Sequence, residues 1–186
     1  MKEELQKKLY EKYTRIFEQR TLPMSQTCMC WGIETDSGWY DLIDTLCSQL
    51  DAIHKLTGIV TVAIQVKEKF GTLRFYTTSD SDEGELKIDQ EDLKVWWGIA
   101  DACIGEAEDQ SAQTCEVCGE YGKLCSKGGW YQTLCKEHAK ENGYNYGTKD
   151  SQEETSPTDS PAASSEASPE EGDAEGEEVE SSSSAG

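Results

Sequence analysis

Four residues of this chain stand at spacings suited to holding a metal. Cys115 and Cys118 form a C-x2-C pair, and Cys135 and His138 form a C-x2-H pair, with sixteen residues between the two. Three thiolates and one imidazole suit a tetrahedral zinc ion, and four protein ligands leave no position for water or substrate, so the chemistry is structural rather than catalytic. Gly119 follows the first pair, where a backbone curling round a metal needs a positive φ. Gly128-Gly129 between the pairs suits a hairpin turn, and residues 135–142 read as a short helix stopped by Gly143. Knuckle, hairpin and helix in that order predict a treble-clef zinc finger. The competing reading is an accidental gathering of cysteine and histidine; two correctly spaced pairs, each in the right local setting, argue against it. Cys125 lies between the pairs and either replaces a ligand or packs beside them.

Other thiols and the second histidine offer less. Cys28 and Cys30 are expected on one face of a short strand, where a second metal or redox site competes with small thiols filling a crowded core, the role expected of Cys47 and Cys103. His54 lies late in a helix beside Lys55, with no third residue to orient a Cys-His pair. No acid, base and nucleophile set is recognisable, so no catalytic residue is assigned and a hydrolase or nuclease is disfavoured. Zinc is the one cofactor expected.

A second surface is read as a binding site. Residues 59–68 and 72–78 alternate β-branched and aromatic residues with polar ones about a Lys69-Phe70-Gly71 turn, the pattern of a hairpin. Its polar face gathers Gln65, Lys67, Lys69, Arg74 and Tyr76, whereas residues 80–120 carry 13 acids and two bases. That face is either the solvated side of a ribbon or a recognition surface for an anionic group, with Arg74 able to fork onto a carboxylate or phosphate.

These groups need a scaffold. Residues 3 to about 20 read as an amphipathic helix ended by Leu22-Pro23. Met29, Trp31 and Ile33 alternate with Cys28, Cys30 and Gly32 as a strand would. Asp36 or Ser37 can cap a helix that runs to Gly58, and Asp89 a longer one whose buried face is Leu93, Trp96, Trp97, Ala100, Cys103, Ile104 and Ala107. The expected fold class is α+β: a small antiparallel sheet packed by three helices over residues 1–112, a treble-clef-like zinc module over 113–147, and an acidic Ser/Glu/Pro-rich tail over 148–186 that cannot offset its ordering entropy and stays disordered.

Of the 37 acidic residues, twelve lie from Asp150 onward with no Lys or Arg among them, which leaves 25 acids against 17 bases in the body. The tail thus carries −12 and the body −8, and a body this acidic opposes non-specific attraction to phosphate backbones. Residues 123–149, with five lysines against two glutamates, are the exception. No apolar run resembles a signal peptide or a bilayer span, so reduced thiols in a cytoplasm are expected.

The stretch Gln-Val-Lys-Glu-Lys-Phe-Gly-Thr-Leu-Arg-Phe-Tyr at residues 65–76, the Gly38-Trp39 pair before it and the C-x2-C-G…C-x2-H motif after it resemble a family of small, functionally uncharacterised bacteriophage and bacterial zinc-finger proteins. The resemblance covers about residues 10–142 and implies a fold and a phage or bacterial setting, with no activity to carry over. Together these readings predict a non-enzymatic, zinc-stabilised binding protein, an accessory factor acting on a host or phage macromolecule. A protein partner is expected first, a nucleic acid as the alternative and a membrane not at all; the oligomeric state is not legible.

Overall fold

The β-branched run at the middle of the chain forms its longest hairpin. In the computed structural model, which describes residues 1–81 and 86–147, the order is α1 (Glu3–Lys12), β1 (Ile33–Glu34), α2 (Tyr40–Thr57), β2 (Ile59–Lys69), β3 (Thr72–Ser81), α3 (Gln90–Ser111), β4 (Lys123–Lys127), β5 (Trp130–Leu134), α4 (Lys136–Asn142) and β6 (Asn145–Tyr146). Helix and sheet are mixed, as expected. The acidic segment 148–186 lies outside the described residues, as does much of the loop at 80–85. Among the described residues, no helix is long and apolar enough to cross a membrane.

β2 and β3 pair antiparallel, with Val66 opposite Phe75 and Lys67 opposite Arg74. The sheet is not purely antiparallel, however: β1 joins β2 parallel, in the order β1-β2-β3. The reason is the connection, because α2 carries the chain back before β2 begins and such a crossover makes the flanking strands parallel. Gly58 ends α2 in the left-handed region, its N–H donating to the His54 carbonyl at 2.8 Å.

Regular alternation along β2 fails at one point. A bulge between Ala63 and Gln65 shifts the register, so Val66 shares a face with Ala63 rather than with Val62. Ala63, Val66, Leu73 and Phe75 form one side of the main core, against Ile43, Leu46, Cys47, Leu50 and Ile53 of α2. Val60 and Val62 are buried on the opposite face, beside Arg15, Glu18 and Gln19.

The first helix is shorter than its periodicity predicts, ending at Lys12. Tyr13, Ile16 and Phe17 are all buried, but from an irregular stretch. There the Ile16 carbonyl accepts the Ala63 N–H at 2.8 Å, and the Thr27 hydroxyl donates to the Ile64 carbonyl at 3.3 Å. With β1 only two residues long, these contacts pair backbone groups of β2 that β1 does not reach, and that demand outweighs helix propagation. The predicted strand at 28–33 is likewise mostly a 3-10 turn, Met29–Trp31, followed by Gly32 at φ 77°. Cys28 is exposed and Cys30 half-buried, so they do not share a strand face.

α3 closes the other edge. The N–H groups of Leu73 and Phe75 donate to Ser111 Oγ at 2.8 Å and Glu108 Oε1 at 3.0 Å. Leu93, Ala100 and Ala107 of its predicted face are buried, whereas Trp96, Trp97, Cys103 and Ile104 are half-buried.

Candidate metal centre

The second cluster of buried residues is too small to be a core by itself: Cys115, Cys125, Leu134 and Ala139. It sits inside a knuckle at 115–119, the β4–β5 hairpin and α4, with β6, which the sequence did not reveal, pairing on the other side of β4. Gly119 adopts φ 82° at the knuckle. Cys135 is the N-cap of α4 and its sulfur accepts the His138 N–H at 3.5 Å, so one turn of helix brings both late ligands inward.

The four predicted ligands converge. Their ligand atoms all lie within 4.8 Å of one another. Cys118 Sγ to Cys135 Sγ is 4.0 Å, Cys115 Sγ to His138 Nδ1 is 3.5 Å and Cys135 Sγ to His138 Nδ1 is 3.1 Å. A tetrahedron with Zn–S bonds of 2.3 Å has edges of about 3.8 Å, so this donor set is compatible with zinc. Glu141 Oε2 lies 4.0 Å from the other ring nitrogen of His138, beyond hydrogen-bond reach. The helical N–H of His138 draws the Cys135 thiol down to about 7. Desolvation, helped by the neighbouring Cys115 thiol, pushes Cys118 up to about 11. Cys125 is fully buried and outside the cluster, its thiol 3.1 Å from the Lys123 carbonyl, so it packs beside the ligands.

The knuckle is joined to the rest of the molecule by residues that spacing alone did not single out. Gly38 N–H donates to the Glu116 carbonyl at 2.7 Å, and a Cβ on Gly38 would collide with the Cys115 carbonyl, the Cys118 N–H and the Gly119 N–H. Trp39 is fully buried and its indole N–H donates to the Thr114 carbonyl at 2.8 Å. Glu116, between two ligands, is 4 % exposed; its carboxylate accepts Asp36 N–H at 3.0 Å and the Gln132 amide at 2.8 Å. Burial raises its pKa above the usual carboxylate range, and Asp36 and Glu68 add to the rise against the lowering of those two hydrogen bonds. The Gly38-Trp39 pair was visible in the sequence, but nothing local said what it touches.

The hairpin's polar face is divided three ways. Gln65, Lys67 and Tyr76 line a cavity of about 570 Å³ with Met24, Gln26 and Cys28, and Lys67 Nζ lies 5.6 Å from the Tyr76 ring centroid. Lys69 turns to the hairpin tip, 5.4 Å from the Phe70 ring. Arg74 turns to α3, 3.6 Å from Glu108 Oε2. His54 is held by the Ile59 carbonyl at 3.1 Å and Arg15 at 3.0 Å.

Comparison with protein-family models, with curated proteins and with solved structures gives no match, which leaves this geometry to carry the functional reading.

Proposed function

We propose that the chain is a non-enzymatic binding protein stapled by one zinc ion in a treble-clef-like module, serving as a bacteriophage or bacterial accessory factor that engages another macromolecule in the cytoplasm. The observation that supports this is the donor set itself. Cys115, Cys118, Cys135 and His138 bring their ligand atoms within 4.8 Å of one another in a module with a cluster of four buried residues, Cys115, Cys125, Leu134 and Ala139. Metal binding in such a module supplies folding free energy rather than catalysis. The phage setting rests on the resemblance carried by residues 65–76.

A protein partner is favoured over a nucleic acid. Of the hairpin cations, Arg74 is paired with Glu108 and Lys69 lies over Phe70, and the chain carries −20 overall. Lys67 beside Tyr76 is the contact a nucleic-acid reading would use.

The zinc is tested by elemental analysis of protein purified without chelator. Stoichiometric zinc that is lost in Cys115→Ser with Cys135→Ser is expected; a content near zero would sink the reading. Partner class is tested by affinity capture from bacterial lysate with mass spectrometry, against a salt-dependent mobility shift of labelled DNA and RNA. A shift with no captured protein would select the nucleic-acid alternative.

A further inference from the structure

The face of the β2–β3 hairpin turned away from the main core forms the floor of a cavity of about 570 Å³. Gln65 and Tyr76 are paired across the two strands and so lie side by side on that floor, with Lys67 further along the same face. Its wall is the segment that runs through Met24, Gln26 and Cys28. That wall is fastened to the floor: the Thr27 hydroxyl donates to the Ile64 carbonyl at 3.3 Å and accepts the Met29 N–H at 3.1 Å. The cavity is therefore preformed, and a ligand entering it has little loop ordering to offset.

The polar lining is short of partners. Gln19 Oε1 is buried and accepts no hydrogen bond. A buried acceptor in that state carries the full cost of its lost hydration, which a donor on a ligand would remove. Among the described residues the side-chain amides of Gln26 and Gln65 have no partner within the chain either. A carboxamide presents an acceptor beside a donor, the complement of a peptide group, so three of them round one cavity suit a peptide backbone. Charge in the lining is equally one-sided. Among the described residues Lys67 is its single charged member, and no acid joins it. The ammonium leans toward the neutral Tyr76 ring, 5.6 Å from its centroid, which leaves the charge uncancelled. Glu34 stands on the other side of the strand, on β1, and forms no ion pair with it.

Phosphate sites gather several cations or a nest of backbone N–H groups, whereas one ammonium matches one carboxylate. The charge that decides this is local, because exposed charges more than about 8 Å away are largely screened at physiological salt. We propose that the cavity binds a short peptide segment of a partner protein that carries a single carboxylate. Lys67 holds the carboxylate, Gln19, Gln26 and Gln65 pair with the peptide amides, and an apolar side chain next to the acid lies against Met24 and the Tyr76 ring. The inference rests on the binding-protein reading above and gives it a surface and a partner chemistry.

The test is fluorescence anisotropy of an N-terminally labelled, C-terminally amidated pentapeptide, Ala-Leu-Glu-Leu-Ala, with the full, zinc-loaded chain at physiological salt. The same peptide with Gln in place of Glu is the comparison. Wild type is expected to prefer the Glu peptide about tenfold, the scale of a hydrogen bond to a charged group, and folded Lys67→Gln to lose that preference. Lys69→Gln makes the same change in net charge at the hairpin tip, outside the cavity, and is expected to keep it. Cys28, exposed and in the wall, reports occupancy separately: the Glu peptide should slow its alkylation by N-ethylmaleimide, read by peptide mapping. Equal affinity for the two peptides, no saturable binding at millimolar concentration, or equal losses in Lys67→Gln and Lys69→Gln would overturn the site. So would an unchanged alkylation rate at Cys28 with peptide bound. Adenosine monophosphate that displaces the Glu peptide and depends on Lys67 would also overturn it, by assigning the cavity to a phosphate ligand. Failure here is separable from failure of the reading it rests on. Zinc-loaded Lys67→Gln that captures the same lysate partner as wild type defeats the cavity alone, and zinc-free wild type that still discriminates the peptides defeats the zinc staple alone.

Discussion

Gly38 is required by geometry: only a hydrogen fits between its backbone and the knuckle. The neighbours are backbone atoms, which cannot swing aside as a side-chain end can. Gly38→Ala should therefore push the knuckle off the body, costing about 1–3 kcal/mol as overpacking does. A lowered thermal midpoint together with faster zinc loss to a colorimetric chelator is the expected result. An unchanged midpoint would mean the knuckle docks elsewhere. Cys125 gives the complementary test among the thiols. Because its sulfur faces backbone carbonyls rather than the ligand cluster, Cys125→Ala should keep the metal, whereas Cys135→Ser should release it.

Among the elements, the edge of β3 shows what ties α3 in place. Ser111 is fully buried, accepts the Leu73 N–H and donates to the Glu108 carbonyl at 2.5 Å. Ser111→Ala strands a buried N–H and should cost about 1–3 kcal/mol, read as a shift in denaturant midpoint without a change in slope. Arg74→Ala removes a half-exposed ion pair and should cost less than about 1 kcal/mol. The β2–β3 hairpin, α2 with its glycine stop, and the four metal donors were legible because each is written locally, as alternation, periodicity or ligand spacing. The shortened α1, the 3-10 turn at Met29–Trp31 and the bulge after Ala63 were not. The shortened α1 answers a non-local demand, since Ile16 beyond its end accepts the Ala63 N–H of β2 past a two-residue β1, and no window of sequence contains both the demand and its answer. The hairpin's cations lie apart, Arg74 against α3, Lys67 by Tyr76 and Lys69 at the tip, because alternation gives a face and not the neighbours across it.

For the whole molecule, the contacts between knuckle and body should couple metal loading of the cluster to global stability. Trp39, Asp36 and Gly71 of the body each bond to residues flanking the metal ligands. Removing zinc with a chelator should lower the thermal midpoint of the entire described fold, as a single transition followed by both far-UV circular dichroism and tryptophan fluorescence. Two separate transitions would show the finger melting alone. Acid should act in the same direction, since protons compete with zinc for thiolate and imidazole. The His138 N–H that draws Cys135 down to about 7 favours the thiolate, so this contribution is present above the ordinary thiol range and is lost as the pH falls through about 7. Zinc retention measured from pH 8 to pH 5 should fall most steeply below pH 7.

The slot formed by Gly38 and Trp39 also has a consequence in time. Its occupants are far away along the chain: Trp39 bonds to a residue 75 positions on, Asp36 to one 80 positions on, and Thr133 reaches back 62 to Gly71. A ribosome making ~5–20 residues per second therefore releases the N-terminal helices and the first hairpin several seconds before the knuckle that seals them. During that interval the indole of Trp39 and the edge of the sheet have no cover, and loop-closure entropy must be met before any sealing contact forms. On the zinc-staple reading, metal supply at the moment Cys135 and His138 emerge governs closure, so yield in a zinc-poor medium should fall through insolubility rather than through loss of synthesis.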